Sequence, residues 1–289
     1  MRVIATIDEL VGNRAGWAGA DAVGFVPTMG YLHAGHLSLA ERARAENGVV
    51  AASIFVNPAQ FGPNEDLASY PRDLARDLER LEAAGVDVVF TPTPEQMYPA
   101  GFSTYVVPEG TLNARLEAAV RPGHFRGVCT VVLKLFNLVQ PHSAVFGKKD
   151  RQQLKIVRGM VQQFNLPIQI IPAETVRADD GLALSSRNNY LTPAERTEAP
   201  RLYRTLRWIA DEIAAGRHDY ANLEAEGRRN LATNGWHVDY VAVRHGLALR
   251  VPHPEGYDHP NLLIVLGAAK LGQTRLIDNV DVIPKHGED

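Results

Sequence analysis

Cysteine is almost absent from this chain of 289 residues. Cys129 stands alone, so no internal disulfide can form and the disulfide-stapled secreted domains are excluded. Long apolar runs are missing as well. The longest reach about eight residues, as at 49–56 (VVAASIFV), well short of the roughly 20 that a membrane-spanning helix requires. The opening MRVIATIDEL carries charge almost at once and holds no apolar stretch of leader length. These features predict a cytoplasmic protein with no membrane partner. An excess of one charge is missing too. Lys and Arg total 30 against 33 Asp and Glu, a net charge of −3, and no block of one sign occurs. A dedicated nucleic-acid binder carries a basic surplus, so the expected class is a small-molecule enzyme without a nucleic-acid partner.

What is present is an ordinary globular composition, 45% hydrophobic and 22% charged, which argues against disorder, collagen and coiled coil. The length exceeds one average domain of about 100–150 residues and approaches two. Through about residue 175, apolar runs alternate with amphipathic stretches. Residues 22–26, 49–56, 86–90, 144–146 and 168–171 read as buried strands. Residues 36–46, 72–84, 128–139 and a stretch from Asp150 to about 164 read as helices. Such alternation predicts an α/β fold, a Rossmann-like parallel sheet with helices on both faces. Sites in such folds sit at the carboxyl ends of the strands, where helix N-termini face the ligand. From residue 176 the texture changes. Thr192-Pro193 followed by Glu195 has the N-cap, N1 and N3 pattern of a helix start. It predicts one long helix to about residue 215, then a helix at 220–233 after a break at Gly216, and strands at 238–244 and 262–271. The expected division is a domain at 1–175 and a smaller α+β domain at 176–289.

The sharpest motif is Pro27-Thr28-Met29-Gly30-Tyr31-Leu32-His33-Ala34-Gly35-His36, which follows an expected strand and precedes an expected helix. Gly30 and Gly35 permit close backbone approach. His36 falls at the helix start, where unpaired N–H groups and the dipole favour an anion. Two imidazoles three residues apart can both face that anion, which suits nucleotide phosphates. The plainer alternative is a Gly-rich turn with two surface histidines. A metal site lacks a third ligand at suitable spacing. Gly147-Lys148-Lys149-Asp150 again lies between strand and helix. A Lys there reaches phosphates as a point charge, while Asp150 suits a helix cap, Mg2+ or a ribose hydroxyl. Leu184-Ser185-Ser186-Arg187 offers two hydroxyls and a guanidinium to a triphosphate, or is a solvated loop. Each of these two is weak alone; three phosphate-suited loops in one chain weigh more. Phe55-Val56-Asn57-Pro58-Ala59-Gln60-Phe61 sets uncharged hydrogen-bonding groups among apolar ones, as a small polar substrate needs, although Asn57 equally serves turn backbone. Gln152-Gln153 can contribute similarly. Arg121-Pro122-Gly123-His124-Phe125-Arg126-Gly127 reads as a basic loop, either a lid or an exposed connection.

These motifs, with Tyr70-Pro71-Arg72 between them, occur in the order found in the pantothenate synthetase family (pantoate–β-alanine ligases, AMP-forming), which the chain resembles from about residue 23 to 191. PTMGxLHxGH alone would indicate only the wider HIGH-type nucleotidyltransferases; NPxQF, RPGHF and GxKDxQQ beside it are far more specific. Lys148 stands where the family often has Glu or Gln, and Leu184 where Met is common. The C-terminal hundred residues match only in general character.

The resemblance implies ATP-dependent condensation of pantoate with β-alanine through a pantoyl adenylate, with Mg2+ and a homodimer. It implies that Met29, Gly30, Tyr31, Leu32, His33, Ala34, Gly35 and His36 line the ATP site. Gly147, Lys148, Lys149, Asp150, Val176, Leu184, Ser185, Ser186 and Arg187 complete it, with the smaller domain closing over ATP. His36, with His33, Lys149 and Arg187, is implied as the catalytic set. Gln60, Gln153 and Asn57 are implied for pantoate, Gln60 also for β-alanine, and Asp77 as an Mg2+ neighbour. The other readings are a HIGH-type enzyme acting on a phosphate nucleophile and a non-catalytic nucleotide-binding module. Pyrophosphate exchange into ATP, dependent or not on pantoate, separates them.

Overall fold

The computed structural model describes residues 1–17, 22–253, 259 and 262–283. It divides into two compact units, Met1–Lys148 with Gln153–Val176, and Lys149–Gln152 with Arg177–Asp289. In the first unit the apolar runs form a six-stranded sheet of β1 (Arg2–Ile4), β2 (Val23–Thr28), β3 (Val49–Ile54), β4 (Val88–Phe90), β5 (Ser143–Gly147) and β6 (Gln169–Ala173). All neighbours are parallel, in the order β1-β4-β3-β2-β5-β6. The helices are α1 (Ile7–Arg14), α2 (Ala34–Glu46), α3 (Leu74–Ala83), the single turns α4 (Pro94–Met97) and α5 (Glu117–Val120), α6 (His124–Val139) and α7 (Arg151–Gln163).

Consecutive strand residues enter two different cores. Phe25, Ala51, Val88, Phe90, Ala144 and Phe146 join one, closed by α1, α6 and α7. Val26, Val50, Ala52, Val89 and Val145 join the other, closed by α2 and α3. Successive side chains point to opposite faces, so the sheet is buried on both. That is why its strands read as unbroken apolar runs rather than alternating ones. Cys129 lies in the first core, where burial pushes its thiol up to about 12, and it serves as a small apolar side chain.

The chain runs outward from β2 through β3 to β4, then returns to β5 on the other side of β2. This is a topological switch point, where open α/β sheets place ligands. The structure widens it. Pairing of β2 with β5 stops at Phe25–Ala144. On the outer sides, β2–β3 pairing continues to Thr28–Ile54 and β5–β6 pairing to Gly147–Ala173. Pro27 follows that stop. A proline without an N–H is tolerated in a central strand only where a ladder has ended.

The second unit packs α8 (Pro193–Glu198), α9 (Arg201–Ala214) and α10 (Tyr220–Thr233) with an antiparallel sheet of β7 (Trp236–His245), β8 (Leu263–Leu271) and β9 (Thr274–Asp281). The single helix expected from Thr192 is two helices. The Thr192/Glu195 capping box opens α8 as expected. Pro200, which has no N–H to donate and whose ring clashes with a preceding turn, ends that run and becomes the N-cap of α9. β1 and β9 were not expected. β1 is three residues long at a sheet edge, and β9 carries Asp278 and Asn279 among its buried positions. On α9, Leu202, Leu206, Ile209, Ala210 and Ile213 form the buried stripe, at the spacing of one helix face. Leu206 is fully buried and abuts Gly267 of β8. Leu206→Ala should destabilise the protein by about 3 kcal/mol, the range for a buried leucine that leaves a cavity. Urea unfolding measures it, and a loss below about 1 kcal/mol would show that α9 does not bear on the sheet as described.

Candidate active site

The motif after β2 builds a turn that only this backbone permits. Gly30 and Tyr31 both take positive φ, 81° and 49°, a conformation that costs a side chain dearly except at glycine. A Cβ on Gly30 would stand 3.0 Å from both Asp77 Oδ2 and Ile54 Cγ2. The turn is held from α3. The N–H of Tyr31 donates to Asp77 Oδ2 at 2.6 Å and that of Leu32 to Asp77 Oδ1 at 2.7 Å. Arg80, also on α3, donates to the Leu32 carbonyl.

Beyond the turn, His33 is the N-cap of α2, and its Nδ1 accepts from the N–H of Gly35 at 3.1 Å. His36 Nδ1 accepts from the N–H of His33 at 3.3 Å, so two imidazoles close a capping box. Their ring centroids are 4.0 Å apart. A neutral ring whose Nδ1 accepts carries its proton on Nε2. Both histidines are thereby donors through Nε2 at a helix N-terminus, beside the switch point.

A second turn meets the first. Asn57 caps the turn Pro58–Gln60 at the end of β3. Gln60 Nε2 donates to the Met29 sulfur at 3.1 Å, and Gln60 Oε1 accepts from Asn57 Nδ2 at 3.0 Å. Asn57 Nδ2 also donates to the Gly127 carbonyl at 3.2 Å. Asn57 Oδ1 accepts from the Ala59 N–H at 3.3 Å and from the Tyr98 hydroxyl at 2.6 Å. Underneath lies α6. A Cβ on Gly127 would stand 2.1 Å from the Ala59 carbonyl oxygen, so the two backbones approach as only glycine allows. His124 Nδ1 donates to the Gln60 carbonyl at 2.9 Å, and Arg121 donates to His124 Nε2 at 3.1 Å. Arg121 is gripped at two points by Glu65, each at 2.7 Å.

The remaining expected residues fall in both units. Gly147 ends β5, and Lys148 pairs with the exposed Glu174, both in the first unit. Gln153 is half-buried in the first turn of α7, and Val176 is half-buried at the end of the same unit. In the second unit Lys149 Nζ lies 4.0 Å from Asp150 Oδ2. Ser185 caps the turn Ser186–Tyr190 by accepting from the Arg187 N–H at 3.3 Å. Leu184 precedes it half-buried, and Ser186 is buried. Lys149 and Ser185 line one narrow cleft of that unit, together with Tyr203 and Asp278.

The sequence profile of the pantoate-beta-alanine ligase family matches residues 2–281. The chain belongs to the pantoate–β-alanine ligase family. The pantothenate synthetase of Methylobacillus flagellatus is 54% identical over 275 residues, 95% of this chain and 97% of that one. The crystal structure of pantothenate synthetase from Thermus thermophilus superposes with a TM-score of 0.91 at 49% identity, covering 98% of this chain and 100% of that one. The Francisella tularensis pantoate-beta-alanine ligase, crystallised with beta-gamma ATP and beta-alanine, gives a TM-score of 0.80 at 34% identity and 97% coverage of each chain.

Within this ligase three expectations need correction. Asp77, expected beside Mg2+, is 1% exposed, and each of its carboxylate oxygens accepts one backbone N–H group. Burial raises its carboxyl above the usual range, against the lowering by those N–H groups. Among the described residues no three His, Cys, Asp or Glu side chains converge as a metal site. The residues do not fit a protein-built Mg2+ cage. Asn57, expected to bind pantoate, is 1% exposed, and both its amide hydrogens and both its oxygen lone pairs are engaged. It orients Gln60 instead. The basic segment at 121–127, read as a lid or exposed connection, is neither. His124, Phe125 and Gly127 are buried in the first turn of α6, because Phe125 belongs to the core and Gly127 carries the Ala59 backbone.

Tyr98 and His124 were not singled out as functional residues by sequence reasoning. The H in RPGHF was the one available signal for the second. Its ring is forced into one state, since Arg121 can only donate to Nε2 and Nδ1–H must face the Gln60 carbonyl. Burial, then the Arg121 charge, depresses its pKa to about 4, against weaker opposing pulls from the Gln60 carbonyl, Glu117 and Glu65. Unfolded, the ring protonates near its ordinary value of about 6.5. The unfolded chain therefore binds more protons between those values. Stability from this residue is complete above about pH 6.5 and is lost as pH falls toward 4, by up to about 3 kcal/mol. His124→Asn keeps a donor for Gln60 and cannot ionise. Urea midpoints across that range should fall less steeply for the variant, and parallel curves for the two proteins would refute the assignment.

Proposed function

We propose that the two histidines at the N-terminus of α2 receive the α-phosphate of ATP while pantoate is activated on it. A carboxylate oxygen of pantoate attacks the α-phosphorus, the bond to the bridging oxygen breaks, and pyrophosphate leaves. The β-alanine amine then attacks the acyl carbon of the pantoyl adenylate, loses a proton, and AMP departs with the former carboxylate oxygen. The observation that carries this reading is the paired capping by His33 and His36. It makes both rings Nε2 donors at a positive helix end, where charge accumulates on phosphate oxygens. His36 is assigned the proton donor. Met29, Gly30, Tyr31, Leu32, His33, Ala34 and Gly35 form the nucleotide-facing turn, with Gly147, Lys148, Asp150, Val176, Leu184, Ser185 and Ser186 as further nucleotide contacts. Lys149 and Arg187 are assigned the β- and γ-phosphates. Gln60 and Gln153 are assigned pantoate, and Gln60 also β-alanine. Mg2+ is assigned to the phosphates, as is usual for nucleotide enzymes. A homodimer in the cytoplasm follows from the family resemblance alone.

Two measurements test the assignment. Pyrophosphate exchange into ATP should require pantoate, and His36→Ala should slow it by about 10²–10⁴, the span of a positioned acid–base group. Near-normal exchange in folded His36→Ala would remove that residue from the chemistry. Lys149→Ala should slow adenylation by about 10²–10³, as the loss of one preorganised charge stabiliser does. It should leave the reaction of pre-formed pantoyl adenylate with β-alanine near the unsubstituted rate, because the phosphates it serves have already left. Equal losses in both steps would make Lys149 structural.

A further inference from the structure

Lys149 is grouped with the second unit, although the strand it follows belongs to the first. Lys148 and Gln153 belong to the first unit, whereas Lys149–Gln152 cluster with the second. What ties this four-residue insert to the second unit is β9. Asn279 Nδ2 donates to the Lys149 carbonyl at 2.9 Å, and Arg151 donates to Asp281 Oδ1 at 2.7 Å. Asn279 is 6% exposed and is itself held through its backbone. Its N–H donates to Asp278 Oδ1 at 2.8 Å, and its carbonyl accepts from Arg177 at 3.2 Å. Asp278 and Arg177 form a two-point ion pair at 2.6 and 2.9 Å, with the guanidinium stacked 4.0 Å over the Tyr203 ring. Arg177 also donates to the Gly181 carbonyl at 3.1 Å and bridges through its backbone to Ala183. That bridge leads directly to Ser185-Ser186-Arg187. One strand therefore anchors both of the unit's phosphate-suited segments, which line a common cleft with Asp278.

We propose that Asn279, seconded by Asp281, is a positioning residue that sets where Lys149 stands relative to Ser185 and Arg187. The inference rests on the assignment of Lys149 to the ATP phosphates. An amide is the side chain this place requires. A carboxylate could not donate to the Lys149 carbonyl, and it would set a second negative charge against Asp278, which is already buried. The pair cannot be replaced by the Lys149–Asp150 contact, since at 4.0 Å on partly exposed side chains an ion pair fixes little.

The test compares half-reactions. Asn279→Ala should slow pantoyl adenylate formation about 5- to 20-fold, the effect of one buried hydrogen bond and the disorder that follows its loss. KM for ATP should rise. Pre-formed pantoyl adenylate should react with β-alanine within about two-fold of the unsubstituted rate. Combined with Lys149→Ala, the substitution should add less than about two-fold, because residues acting through one group are not additive. Asp281→Asn lies on a more exposed side chain and should show the same split at smaller size; it carries the test if Asn279→Ala does not fold. Equal slowing of both half-reactions, or full multiplication with Lys149→Ala, would overturn the inference in favour of general support. If Lys149→Ala is impaired in adenylation while both β9 variants are not, the inference alone falls. If Lys149→Ala itself adenylates normally, the phosphate assignment falls and the inference with it.

Discussion

A single buried carboxylate meeting two consecutive peptide N–H groups is the constraint on which the first unit's site depends. Gly30 and Tyr31 turn the chain through left-handed backbone, which leaves the N–H groups of Tyr31 and Leu32 without a ladder partner. Unsatisfied buried N–H groups are costly. Asp77 meets both. Its own burial works against its charge and prevails, and the two N–H donors offset part of that by favouring the charged form. The result is a turn that brings His33 onto the end of α2 rather than past it. Gly30 completes the arrangement by leaving room for Asp77 and Ile54 where a Cβ would press on both. The histidines hold their tautomers because the helix starts where Asp77 lets it start.

Much of this was legible in the sequence, and the failures share a physical cause. The strands after 22, 49, 86, 144 and 168 were readable because a sheet buried on both faces demands continuous apolar runs. The motif after β2 was readable because strand, Gly-bearing turn and helix start are local features. The extent of α6 was not, because its first turn is polar by composition and buried by a partner, Ala59, far away in the chain. The structural partners of Asp77 and Asn57 were hidden for a related reason. Carboxamide and carboxylate groups look equally suited to ligand and to backbone until their partners are known. Those partners lie 45 and 46 residues from Asp77, and 41 and 70 residues from Asn57. The helix from Thr192 was overextended although Pro200 is visible in the sequence. A proline, lacking an N–H, ends a helical run whatever the periodicity around it. β9 hid because an antiparallel strand carrying Asp278 and Asn279 at buried positions breaks the alternation that would reveal it.

The turn that carries Gln60 is held unevenly, which bears on its proposed role toward pantoate. Gln60 is fixed at four points of unequal strength, the longest from its backbone N–H to the Asn57 carbonyl at 3.4 Å. Its carbonyl accepts from a neutral imidazole whose other nitrogen is occupied by Arg121, and its side-chain oxygen accepts from Asn57. Among the described residues its side-chain nitrogen donates only to the thioether of Met29, a weak acceptor. The bond from Asn57 orients the amide through its oxygen, the bond from His124 holds the backbone beneath it, and the weak bond falls on the donor. On the proposed assignment of Gln60 to pantoate, a carboxylate or hydroxyl arriving there would replace a sulfur with a better acceptor and leave the orienting bond from Asn57 in place. Little of the binding free energy is then lost to reorganisation, which is the condition for a preorganised site. The reverse arrangement, with Asn57 and Gln60 exchanged in their roles, would require breaking four engaged positions on a side chain that is 1% exposed. The hydrogen-bond inventory therefore favours Gln60, and not its neighbour three residues earlier, for the proposed contact with pantoate.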